Sequence, residues 1–142
     1  MRIPGALLAT IQAQARDGYP FEICGILVGR KGQGVCRVEE VVPVANREAE
    51  SPRVRYQIAP EDVVRVQRQA RESGLEIMGY YHSHPDHPAR PSETDRQLAA
   101  EALSDGVVHV IVGVEPDRPP EATAWIFEEL SGVFVEEPMV SG

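Results

Sequence analysis

The chain has 142 residues, 42% of them hydrophobic and 25% charged, with a formal net charge of −8 at pH 7. That length and balance describe one globular domain able to bury a core without disulfides or a structural metal. The acidic surplus argues against a phosphate-binding surface, because polyanions collect on clustered Lys and Arg, so no nucleic-acid partner is expected.

In chain order, a helix is predicted over residues 4–16, opened by Pro4, with Leu7, Leu8, Ile11 and Ala15 on one side. Its Ala-x-Ala ending imitates a secretory leader. One basic residue, the early Pro4-Gly5 pair and the breaks at Thr10 and Gln12 favour the helix instead. "FEICGILVG" (21–29) reads as a strand, followed by a Lys-Gly-Gln-Gly turn (31–34) and a second strand over 34–46. "RVRYQI" (53–58) reads as a third. Residues 60–74 begin with Pro, carry acids in the first turn and end in Gly, which brackets a helix. Its Arg65, Arg68 and Arg71 interleave with Glu61, Asp62 and Glu72, as on a solvated face.

Residues 75–84 are strand-like, and 92–106 predict a helix. Strands at 107–114 and 122–130 and a short one at 132–137 complete the pattern. Helices among strands, some joined by hairpin-length turns, predict an α/β fold: a mixed sheet flanked by helices, as a single domain over 1–142. No stretch approaches the roughly 20 apolar residues of a membrane span, so no membrane association is expected. Cys24 and Cys36 form neither a disulfide scaffold nor a Cys-x-x-Cys pair, so reduced thiols and a cytoplasmic location are expected.

The chemistry concentrates in "YYHSHPDHPARPSETD" (80–95). His82 and His84 flank Ser83 at a strand end, and residues two apart on a strand project from one face. Ser92 and Asp95 stand three apart at a helix start, on one face of its first turn. The proline-rich loop between can fold the helix start back onto the strand end. Two neutral imidazoles and a carboxylate are a common ligand set for catalytic zinc, with a fourth position left for water. The plainer alternative is that Ser92 caps the helix while Asp95 complements its dipole.

His-x-His-Pro, six residues, then Ser-x-x-Asp, with a glutamate well upstream, resembles the JAMM (MPN+) family of zinc-dependent isopeptidases and related metallohydrolases. The "FEICGILVG" strand, the following hairpin and the strands after the Asp-bearing helix also sit where that family has them. The resemblance implies the JAMM/MPN fold, whose architecture is similar to that of cytidine deaminases. It implies one zinc per chain on His82, His84 and Asp95, with Glu22 as general base and Ser92 binding the substrate carbonyl as its oxyanion develops. Glu22 opens an otherwise apolar run, where an unpaired carboxylate is costly to bury.

A compact domain of this size is similar to the bacterial branch of the family. That implies amide or isopeptide hydrolysis just after the Gly-Gly tail of a small ubiquitin-like or sulfur-carrier protein, in some members releasing cysteine from a carrier adduct. A non-catalytic MPN scaffold and a DNA-associated relative of the RadC type remain alternatives. A zinc deaminase lacks support, because the His-x-Glu and Pro-Cys-x-x-Cys signature is missing. Cys24 is expected to be a buried structural thiol, His87 to be solvent-exposed, His109 to pack within or at the edge of a strand, and Trp125 to lie in the core.

Overall fold

The computed structural model describes residues 1–53, 55–101 and 106–142. In chain order its elements are β1 (Arg2–Ile3), α1 (Gly5–Gly18), β2 (Cys24–Gly32), β3 (Val35–Val44), α2 (Pro60–Glu72), β4 (Glu76–Pro85), α3 (Glu93–Glu101), β5 (Val108–Glu115), β6 (Arg118–Glu128), β7 (Val133–Glu137) and β8 (Val140–Ser141). The strands form one mixed sheet in the order β7-β6-β5-β4-β2-β3-β1-β8. β4 and β5 pair in parallel, whereas β2 runs antiparallel to both of its neighbours, β3 and β4.

Helices cover both faces, which explains the unbroken apolar run in β2. Leu27, Tyr81, Val108, Val110 and Val112 point toward α1, where they enclose Ile11 and Ala15. Ile26 and Val28 point the other way and pack with Val66, Ala70 and Leu75 around α2. The sheet can keep its central strands this close only where side chains are absent. A Cβ on Gly25 would enter the Tyr81 ring, whose hydroxyl donates to Gln14 Oε1 at 2.6 Å.

The predicted helices and most predicted strands are present, with one clear exception. The expected third strand at 53–58 is an irregular segment; Val54 within it lies outside the described residues. Arg55 and Gln57 bond to the side-chain amide of Asn46, and among the described residues only one backbone bond, from Arg47 N–H to Gln57 O (2.8 Å), joins that segment to the 46–48 stretch. A side-chain amide thus substitutes for the peptide groups that a ladder would require. The predicted end of the third helix also falls partly outside the described residues, at 102–105. β6 starts before the predicted 122, because Glu115 and Arg118 already pair across a tight β5–β6 connection.

Candidate metal centre and active-site cleft

The C-terminal end of β4 carries His82 and His84, and the antiparallel register sets Cys24 of β2 opposite His82. The next step along is closed by two bonds: Ser83 N–H donates to Ile23 O (3.0 Å) and Ile23 N–H donates to Ser83 Oγ (2.9 Å). One residue further, Glu22 reaches His84, and the two line a cleft of about 520 Å³ with His87, Pro88, Arg90, Pro91, Ser92 and Thr94. The fully buried Ser83 therefore pins the strand entry that delivers Glu22.

At the start of α3, Ser92 and Asp95 cap the helix, and Asp95 also turns toward the histidines. Asp95 N–H donates to Ser92 Oγ (3.0 Å) and Ser92 N–H donates to Asp95 Oδ2 (2.9 Å), a reciprocal cap. The same Oδ2 faces the histidines. His82 Nε2, His84 Nε2 and Asp95 Oδ2 form a triangle with edges of 3.1, 3.4 and 3.0 Å.

That triangle fits a metal ion. Tetrahedral arms of about 2.0–2.1 Å, as for zinc, place donor atoms about 3.3–3.4 Å apart. His84 Nδ1 lies 2.9 Å from the Pro88 carbonyl, which can only accept, so Nδ1 bears a proton and neutral His84 turns its Nε2 lone pair inward. A lone pair 3.0 Å from a carboxylate oxygen is repulsive unless a proton or a cation lies between them. Among the described residues, His82, His84 and Asp95 are the one group whose ligand atoms gather closely enough to hold a metal ion.

The electrostatics follow from the same crowding. Burial pushes the Asp95 carboxyl up, but the bonds with His82 and His84 outweigh it and hold the group well below the usual carboxylate range. Burial depresses His82, whereas at His84 the Asp95 and Pro88 bonds overcome burial and raise it. Glu22 is 6% exposed, and its Oε1 has no hydrogen-bond partner. Burial pushes its carboxyl up to about 8, an effect that His84 opposes and the Asp95 carboxylate reinforces.

Other expected residues fall as follows. Cys24 is buried, with Sγ 3.7 Å from Val44 O, and burial pushes its thiol up to about 12, so it is a structural thiol. His87 is exposed on the cleft rim. Trp125 departs from expectation: it is half-buried, bonds through Nε1–H to Thr123 Oγ1 (2.8 Å), and walls a shallow groove beside Ser92 instead of filling the core. Its partners across the sheet are His109 on β5 and Glu136 on β7. Sequence reasoning missed Tyr56, whose ring stacks on His82 at 4.3 Å between centroids and 20° between planes. Only its place between arginine and glutamine marked it, and no local pattern ties it to His82.

His109 is buried edge-on to Phe134, and burial lowers its pKa to about 4. With the folded value below the ordinary 6.5, the unfolded chain binds the proton first, so stability falls as pH drops through the window from 6.5 to 4. Between pH 7 and pH 5 this amounts to about 2 kcal/mol. His109→Leu is expected to lose about that much less stability over the same interval, as read by denaturant melts at the two pH values. Parallel losses in both proteins would exclude His109 as the source.

Fold and site together define a mixed-sheet α/β domain with a His-His-Asp cluster and a buried glutamate at adjoining strand ends. The chain belongs to the prokaryotic homologs of the JAB domain, whose family model matches residues 4–128. It is 36% identical over 129 residues to the desampylase of Haloferax volcanii, covering 86% of this chain and 87% of that one. It is 30% identical over 133 residues to the CysO-cysteine peptidase of Mycobacterium tuberculosis, covering 94% and 85%. A crystal structure of a JAB1/MPN domain protein from Archaeoglobus fulgidus superposes with a TM-score of 0.61 at 25% identity, covering 99% of this chain and 100% of that one.

Proposed function

We propose that this protein is a zinc-dependent hydrolase that cleaves the amide or isopeptide bond after the C-terminal Gly-Gly tail of a small ubiquitin-like or sulfur-carrier protein. The observation that carries the reading is the convergence of His82, His84 and Asp95 beside a buried Glu22 on one cleft. Relatives named for desampylation, for cleaving CysO-cysteine and for cleaving TtuB-protein conjugates support the class of substrate.

His82, His84 and Asp95 would hold the zinc. When bound, zinc supplies a Lewis acid and lowers the pKa of a coordinated water toward about 7. Glu22 accepts the proton of the attacking water and returns it to the leaving amine. A carboxyl shifted up to about 8 is matched to that exchange near neutral pH. Ser92 Oγ already accepts Asp95 N–H, which leaves its own O–H free to donate to the developing oxyanion. Pro88 holds the His84 ring in the tautomer that keeps Nε2 available. No covalent intermediate is required, in keeping with the inert Cys24.

Zinc per chain by elemental analysis, on protein purified without added metal, tests the first half of the reading. About one zinc is expected in wild type and in Glu22→Gln and essentially none in His82→Ala. Wild type without zinc, unable to take it up at neutral pH, overturns the proposal. Cleavage of a Gly-Gly-tailed fusion by the zinc form, against a tail ending in Ala-Ala, tests the second half.

A further inference from the structure

We propose that Asn46 is a positioning residue for this site, holding both the general base and the ring that backs a metal ligand; the inference rests on the roles given above to Glu22 and His82. A primary amide offers two donors and two acceptor lone pairs, and Asn46 uses all four. Its Nδ2 donates to Glu22 O (3.1 Å) and to Arg55 O (3.0 Å). Its Oδ1 accepts from Glu48 N–H and Gln57 N–H, each at 3.0 Å. One side chain therefore ties together three stretches of backbone that share no regular secondary structure.

What hangs from those stretches is the site. Glu22 Oε1 has no partner, so that oxygen anchors nothing, and the backbone sets where the base stands against His84. Among the described residues, two bonds hold the Glu22 backbone: Glu22 N–H to Pro52 O (2.8 Å) and Asn46 Nδ2 to Glu22 O. On the other arm, Arg55 and Gln57 are the residues either side of Tyr56, and Tyr56 stacks on His82. Removing the amide frees both at once.

Displacement of a reacting group by about 1 Å costs on the order of 100-fold in rate, and groups that orient first-contact residues are worth about 10–100-fold. Asn46→Ala is therefore expected to lower kcat on a Gly-Gly-tailed fusion about 10–100-fold, with KM and zinc per chain within about twofold of wild type. Asn46→Asp, which keeps the two acceptor bonds and loses both donors, is expected to do the same and carries the test if the alanine variant fails to fold.

Two readouts separate positioning from general destabilisation. In single-turnover measurements with excess enzyme, the Asn46 substitution should cost at least about fivefold less rate in the Glu22→Gln background than in wild type, because the Glu22 arm of its effect passes through the base. An equal loss in both backgrounds overturns the Glu22 arm of the proposal. In the metal-free protein, the His82 imidazole C–H resonances should lose the ring-current shift of Tyr56 on Asn46→Asp; an unchanged shift overturns the Tyr56 arm. If Glu22→Gln itself hydrolyses at the wild-type rate, the assignment of the base fails, and the His82 resonances still decide the Tyr56 arm.

Discussion

Glu22→Gln is expected to abolish most activity and, in the same protein, to raise stability. The rate loss should be about 100- to 10,000-fold in kcat, the usual worth of a positioned acid–base group, with zinc retained. The stability gain has its origin in burial. A carboxyl whose folded-state value is raised from 4.5 to about 8 contributes most below 4.5, and that contribution is lost as pH rises through about 8. At pH 7 the metal-free fold holds this carboxyl mostly protonated, which costs about 3 kcal/mol relative to low pH because the unfolded chain would ionise it. The glutamine amide meets the same unpartnered pocket and gives back about 1 kcal/mol of that.

A net gain of about 2 kcal/mol is thus expected at pH 7, turning into a deficit of about 1 kcal/mol below about pH 4.5, where only the amide cost remains. Denaturant melts of EDTA-treated wild type and Glu22→Gln across that range read it directly. A variant less stable than wild type at pH 7 would mean that Glu22 is ionised and satisfied in the fold. Stability traded against a reactive, buried carboxylate is a common feature of enzyme sites.

Ser92→Gly should lower kcat about 100- to 1,000-fold while leaving zinc and KM nearly unchanged, as expected for one oxyanion donor. Glycine is the informative replacement because Ser92 has two tasks. As the cap of α3 its Oγ accepts Asp95 N–H, and alanine there costs about 1 kcal/mol, whereas glycine costs only a few tenths. If the hydroxyl acts only as a cap, Ser92→Ala melts lower and Ser92→Gly turns over within a few-fold of wild type. If it donates to the oxyanion, both variants lose rate equally despite their different stabilities. The second pattern is the expected one, because the bond from Asp95 N–H occupies a lone pair and leaves the Ser92 proton free.

The residue pattern alone carried the features that depend on neighbours in sequence. Pro4 and Pro60 mark helix starts: Pro4 stands just before α1 as its N-cap, and Pro60, whose fixed φ and missing N–H suit a first turn, opens α2. The run Ile26–Val28 is apolar at every position because helices cover both faces of the sheet. His82 and His84 share a strand face, and Ser92 and Asp95 a helix turn, so their spacing foretold the cluster. Glu22 was reached through the family resemblance and the oddity of an acid in an apolar run.

Long-range pairing decided the rest. The two-residue strands β1 and β8 exist only because Arg2 and Val140 lie side by side after the chain has folded, and two residues carry no period to read. The 53–58 segment alternates like a strand, yet Asn46 takes the bonds that a partner strand would have used. Tyr56 meets His82 across 26 positions, and no local rule connects them. Local patterns specify which atoms can act. Distant backbone contacts specify where those atoms meet, because the free energy that fixes them comes from pairings made only in the folded chain.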